Sequence, residues 1–114
     1  MKILFVADPL DQFAVKKDST LAMMKAASQK GYQVWHCHIQ DLKYVDDAIH
    51  AAARQILVDR AKSPWYEVKS AGLLKLPYFD AVIMRKDPPF DQAYVTATWM
   101  LSQSQREGAK VFND

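Results

Sequence analysis

The stretch that decides the fold runs from Lys2 to Ile39, KILFVADPLDQFAVKKDSTLAMMKAASQKGYQVWHCHI. Lys2 to Ala7 is a short, almost unbroken apolar run, the pattern of a strand buried on both faces of a parallel sheet. Asp8-Pro9 stops it, and Leu10 to Lys17 has no period and reads as a loop. A helix follows. Asp18 or Ser19 can cap it, because a side-chain oxygen there accepts from the free first-turn N–H groups. Leu21, Met24, Ala27 and Ser28 recur at helical spacing, and Gly31 suits the left-handed position beyond the helix end. Tyr32 to Ile39 is a second strand. Strand, helix and strand make a βαβ unit, which crosses over right-handed.

The end of the chain repeats the plan. Ala81 to Met84 (AVIM) reads as a buried strand that runs into Arg85-Lys86-Asp87-Pro88-Pro89. Asp91 can cap a helix whose Tyr94, Val95, Thr98, Leu101 and Ser102 are predicted to share a face. Gly108 closes that helix, and Ala109 to Asn113 begins another strand. Two βα units of this kind predict an open α/β sheet in a single domain, residues 1–114. The middle reads two ways. Ile49, Ala52, Ala53, Ile56 and Leu57 have helical spacing, and alanine favours helix. Alternatively, Leu42 to Val45 pairs across an Asp46-Asp47 turn with a strand through Ala48 to Asp59, although no glycine marks that turn. Pro64 to Val68 reads as a short extended piece.

Fifteen basic and 13 acidic residues leave a net charge of +2 over 114 residues. Lys16-Lys17 runs at once into Asp18, and Arg85-Lys86 into Asp87, so neither pair extends into a basic stripe for nucleic acid. The apolar start is too short for a signal-peptide core or a membrane span. Cys37 is the only cysteine, so no internal disulfide can form, and a buried strand thiol in a reducing cytoplasm is expected. With three glycines and no G-x-G-x-x-G or P-loop, a self-sufficient dinucleotide or NTP site of those types is excluded. His36 and His38 lie two apart on a predicted strand, which is a weak metal signal against ordinary half-buried histidines.

The segments that follow the two buried strands carry more. Ligands of open α/β sheets bind outside the carboxyl ends of the strands. Arg85 can grip a carboxylate through two donors, while Lys86 acts as a point charge. The alternative is an ion pair of either cation with Asp87 or Asp8 that only organises the turn. Lys17-Asp18-Ser19 opens the first helix at the same predicted edge, where free N–H groups and the dipole favour an anion, or where Asp18 or Ser19 simply caps. Trp65, Tyr66, Tyr78 and Phe79 read as packing rather than as a base-stacking site.

These segments match a known pattern. Ala7-Asp8-Pro9, Lys16-Lys17-Asp18-Ser19-Thr20, Ala22-Met23-Met24, Gly31-Tyr32 and above all Met84-Arg85-Lys86-Asp87-Pro88-Pro89-Phe90-Asp91 resemble the N-terminal domain of prokaryotic glutathione synthetases. Tyr94, Ala97-Thr98 and Val111-Phe112-Asn113 continue the likeness in order. The resemblance implies a pre-ATP-grasp domain: an open, mostly parallel Rossmann-like sheet with two crossover helices and an extra β-hairpin, with strands around Leu42 to Val45 and Ala51 to Val58. It further implies a cytoplasmic enzyme, often tetrameric, that joins γ-glutamylcysteine and glycine through an acyl phosphate with ATP and Mg²⁺. By motif position Lys17, Ser19, Arg85 and Asp87 would line or brace the wall that holds the dipeptide. Arg85 or Lys17 would face a substrate carboxylate, with Asp8, Asp18, Lys86 and Asp91 in support.

The chain ends where members of that family continue into their ATP-grasp region, and it has no carboxylate cluster for Mg²⁺ and no glycine-rich flap. As an isolated domain, or the product of a gene truncated there, it is expected to be inactive alone. Two rival expectations stand beside this one. A receiver-like binding module would set Asp8 against Lys86 but lacks an acidic pair at the first strand. A purely structural or oligomerisation domain would leave the motif residues with packing roles only.

Overall fold

The computed structural model describes residues 1–13, 18–86 and 90–113. Seven strands form one sheet, β1 (Lys2–Ala7), β2 (Gln33–Cys37), β3 (Leu42–Val45), β4 (Ala48–Val58), β5 (Tyr66–Lys75), β6 (Ala81–Arg85) and β7 (Val111–Asn113), with helices α1 (Ser19–Gln29) and α2 (Gln92–Arg106). The order is β3-β4-β2-β1-β6-β7, with β5 also on β4. The central run β2-β1-β6-β7 is parallel. β1 lies in its middle with five of six residues buried, as its unbroken apolar pattern requires.

Side chains of β1 alternate between two cores. Leu4 and Val6 join Ala97 and Leu101 of α2, while Ile3 and Phe5 join Leu21, Met24 and Ala27 of α1. The chain leaves β1 towards β2 but leaves β6 in the opposite direction, towards β7. Right-handed crossovers then put the two helices on opposite faces. The strand order reverses between β1 and β6, and their carboxyl ends flank the crevice at that switch point.

Asp18 caps α1. Its Oδ1 accepts from the backbone N–H of Thr20 at 2.8 Å and of Leu21 at 3.2 Å. Asp18→Ala is expected to cost about 1 kcal/mol in chemical denaturation, and Asp18→Asn only a few tenths. Equal losses for the two variants would mean that the cap is not what the carboxylate contributes. Gly31 follows the helix at φ +81°, in the conformation that glycine adopts without a Cβ penalty.

The middle of the chain is the hairpin. Leu42–Val45 pairs antiparallel with Ala51 to Ala48, turning through Asp46 and Asp47 at φ 50° and 60°. Both turn residues are left-handed, as in a type I′ turn, and aspartate tolerates that region without glycine. The helical spacing in β4 arises because both its faces are covered: Ile49, Ala51 and Ala53 enter one core and Ile56 the other.

Two expectations need correction. The extended piece at Pro64 to Val68 is the start of a ten-residue strand that pairs along β4 to Lys75, with a register shift at Gln55/Ile56. The buried stripe of α2 is Ala97, Leu101 and Ser104, whereas Val95 and Ser102 of the predicted face are exposed. Small residues let α2 approach the sheet closely, and its bulkier Val95 and Trp99 point outward at 53% and 56% exposure. No helix among the described residues is long and apolar enough to cross a membrane.

Candidate functional site

The crevice between β1 and β6 gathers its side chains from three strand or helix ends. Arg85 is the last residue of β6 and stands in register with Ala7, the last of β1. Its Nε donates to Thr20 Oγ1 at 3.1 Å, and its Nη2 donates to Ser19 Oγ at 2.5 Å. The guanidinium is thereby held over the first turn of α1, where its charge adds to the partial positive charge of the helix N-terminus. Beside it, Lys86 Nζ lies 3.0 Å from Asp8 Oδ1. An ion pair foreseen for the turn, Lys86 with Asp8, therefore exists. A cavity of about 140 Å³ opens here, lined by Asp8, Gln12, Phe13, Asp18, Thr20 and Arg85.

Beneath this rim lies His36 of β2, 2% exposed. Its Nε2 is 2.9 Å from the carbonyl oxygen of Asp8. A carbonyl can only accept, so Nε2 carries the proton, and the buried Nδ1 has no hydrogen-bond partner among the described residues. Burial holds the imidazole pKa down at about 4, against the pull of the Asp8 carbonyl, and Arg54 adds to the depression. His36 is a neutral donor that fixes the end of β1.

The connection from β1 to α1 is braced from the β4–β5 side. Phe13 stacks on Trp65 with centroids 5.6 Å apart and meets His36 edge-on at 6.5 Å. Tyr66 donates its hydroxyl to Asp11 Oδ1 at 2.8 Å, and that carboxylate holds the phenol pKa above its ordinary value. Trp65 and Phe79 are buried packing residues as expected.

Of the eight residues singled out from sequence, the structure brings together Asp8, Asp18, Ser19, Arg85 and Lys86. Asp91 caps α2 through a 3.0 Å bond from the Tyr94 N–H and is not among the cavity residues. Lys17 and Asp87 lie outside the described residues. The reading of sequence missed Gln12, Phe13, Thr20 and His36. Thr20 carried a signal, since it extends the Asp18-Ser19 turn by one more hydroxyl. His36 was paired with His38 instead, but His38 lies beyond the strand end, where its Nδ1 accepts from the Gln40 N–H at 3.3 Å. Cys37 is a buried thiol whose pKa burial pushes up. Among the described residues no three His, Cys, Asp or Glu side chains cluster as ligands for a metal ion.

Comparison with known proteins identifies the family. The model of the prokaryotic glutathione synthetase N-terminal domain matches residues 1–114. A glutathione synthetase of Ralstonia nicotianae is 44% identical over 113 residues, covering 99% of this chain and 35% of the relative. Those of Nitrosomonas europaea and Vibrio parahaemolyticus are 40% and 36% identical, again over 99% of this chain and 36% of each relative. The chain thus spans about a third of the length of the curated relatives it matches. On the match across its whole length, the chain belongs to the N-terminal domain family of the prokaryotic glutathione synthetases.

Proposed function

We propose that this domain is the substrate-side wall of a cytoplasmic, ATP-dependent ligase that joins γ-glutamylcysteine to glycine. The observation that carries the reading is the guanidinium of Arg85, fixed by two hydroxyls of α1 at the switch point of the sheet. Fixed donors at a crevice orient a carboxylate without further ordering cost when substrate arrives. When bound, ATP would activate the substrate carboxylate as an acyl phosphate, with Mg²⁺ balancing the phosphate charge. No step of that chemistry is assigned to residues of this chain. Their work is to bind one end of the dipeptide, orient it and keep the rim in place. The outward Val95 and Trp99 of α2 favour cover by further protein, in keeping with a homo-oligomeric complete enzyme.

The test is glutathione formation by two proteins, this chain and the product of the reading frame extended past Asp114, each given ATP, Mg²⁺, γ-glutamylcysteine and glycine. Only the longer protein is expected to form glutathione. An inert longer protein would sink the ligase reading and favour a binding module.

A further inference from the structure

Resting on the reading of a homo-oligomeric complete enzyme, we infer that the outward face of α2 pairs antiparallel with the same face of a second copy of this chain. The spacing is the first observation. Gln92, Val95, Trp99, Ser102 and Arg106 are all exposed, at intervals of three, four, three and four. They lie opposite the buried Ala97, Leu101 and Ser104. Such a stripe is the seam along which a helix meets one other helix. Its large apolar members, Val95 and Trp99, are 53% and 56% exposed, at the middle of the helix rather than at a frayed end.

The order of residues along the stripe identifies the occupant. Its first half carries Val95 and Trp99, and its second half carries the small Ser102 and the cationic Arg106. In an antiparallel pair with its two-fold axis level with Met100 and Leu101, Trp99 of each copy lies over Ser102 of the other, which leaves room for the indole. Arg106 then lies beside Val95 of the other copy. Its side chain leans towards its own N-terminus, which brings the guanidinium to the face of that copy's Trp99, an attractive contact. The dipoles oppose favourably, and Arg106 in the last turn approaches the end that Asp91 caps. A parallel pair would set Trp99 on Trp99 and Arg106 on Arg106. The face thus complements itself in one direction, as a two-fold contact requires.

The third observation is the surface beside the seam. An apolar groove of about 280 Å³ runs along one flank of α2, lined by its Ala93, Thr96 and Met100 and by Ile39 and Leu42. It widens the face that a second copy can cover. A helix of 15 residues is only about 22 Å long, and a stable interface buries roughly 800 Å² per partner. The pairing is therefore weak in this chain alone, and the complete protein strengthens it with surface of its own.

Disulfide trapping detects so weak a contact in the chain itself. Cys37, its only cysteine, is buried and does not compete. Ser102 lies three residues of helix rise, about 4.5 Å, from its counterpart across the axis. Ser102→Cys is expected to form linked dimers about tenfold faster or more than Gln29→Cys, an exposed site at the end of α1, at equal protein and oxidant. Adding Trp99→Asp should lower the rate to that of Gln29→Cys, with the melting temperature unchanged because both side chains point away from the core. Equal rates for the two cysteines would overturn the assignment. Sedimentation of the protein extended past Asp114 separates this inference from its parent. Trp99→Asp is expected to reduce the mass of that assembly by half or more. If the extended protein is a monomer, the homo-oligomeric reading falls and this one with it. A monomer destabilised by Trp99→Asp would give the face to later sequence of the same chain. If it is an oligomer whose mass Trp99→Asp leaves unchanged, only the choice of α2 is wrong.

Discussion

Between pH 6.5 and 4 the folded chain is expected to lose about 3 kcal/mol of stability through His36 alone. In the unfolded chain the imidazole titrates near its ordinary value of 6.5, whereas in the fold it stays neutral down to about 4. In that window the unfolded state therefore binds more protons, and stability rises with pH. The contribution is fully present above pH 6.5 and is lost as pH falls to about 4. At 1.36 kcal/mol for each pKa unit the loss amounts to about 3 kcal/mol. Burial is the main cause. Protonation would leave an Nδ1–H without an acceptor in the core, next to the charge of Arg54. His36→Gln can keep a donor near the Asp8 carbonyl but cannot titrate. Urea unfolding of both proteins at half-unit pH steps would show the wild-type curve falling away from the variant on the acid side. Parallel curves across the window would mean that His36 is not held neutral.

The same residue marks a limit of reading by sequence. Buried parallel strands announce themselves, as KILFVA and AVIM do, because both faces must be apolar. Helix caps are legible in the same way, and Asp18 and Asp91 stand where a side-chain acceptor was wanted. Strand exits then locate Asp8, Arg85 and Lys86 at one edge. The partner of His36 is a backbone carbonyl, which leaves no trace in residue identity. For that reason its spacing from His38 gives only a weak metal signal and nothing of its bond to the end of β1.

β5 escaped for a different reason. Glu67 to Leu73 are exposed, so no buried face imposes a period of two there, and only Tyr66 and Leu74 near the strand's ends pack against the cores. The face of α2 was misplaced because its core contact is made by alanine and serine, which carry little hydrophobic signal, while Val95 and Trp99 on the outer side carry much. The hairpin was set by resemblance, against the local spacing. Two left-handed aspartates took the turn positions that glycine or asparagine more often fills. Of the four residues assigned to the substrate wall, Ser19 and Arg85 meet in the crevice, and their bond joins β6 to α1.

That bond gives the Arg85 position the largest expected functional effect in the domain. In the complete enzyme Arg85→Ala should raise the KM for γ-glutamylcysteine on the order of a hundredfold, equivalent to about 3 kcal/mol. That is the range found when one partner of a hydrogen-bonded charge pair is truncated. On the proposed reading the guanidinium positions the dipeptide and takes no part in the chemistry, so the change in kcat should stay within a few-fold. Arg85→Lys separates charge from geometry. Lysine keeps the cation, but it has no planar fork with which to span Thr20, Ser19 and a carboxylate together. It should therefore recover only about tenfold of the loss. Thermal unfolding of each variant separates loss of folding from loss of substrate binding, since the contacts removed include the hydrogen bonds to Thr20 and Ser19. A KM within twofold of wild type for Arg85→Ala, with a lowered melting temperature, would instead make the residue a tether between β6 and α1 and give the domain a packing role only.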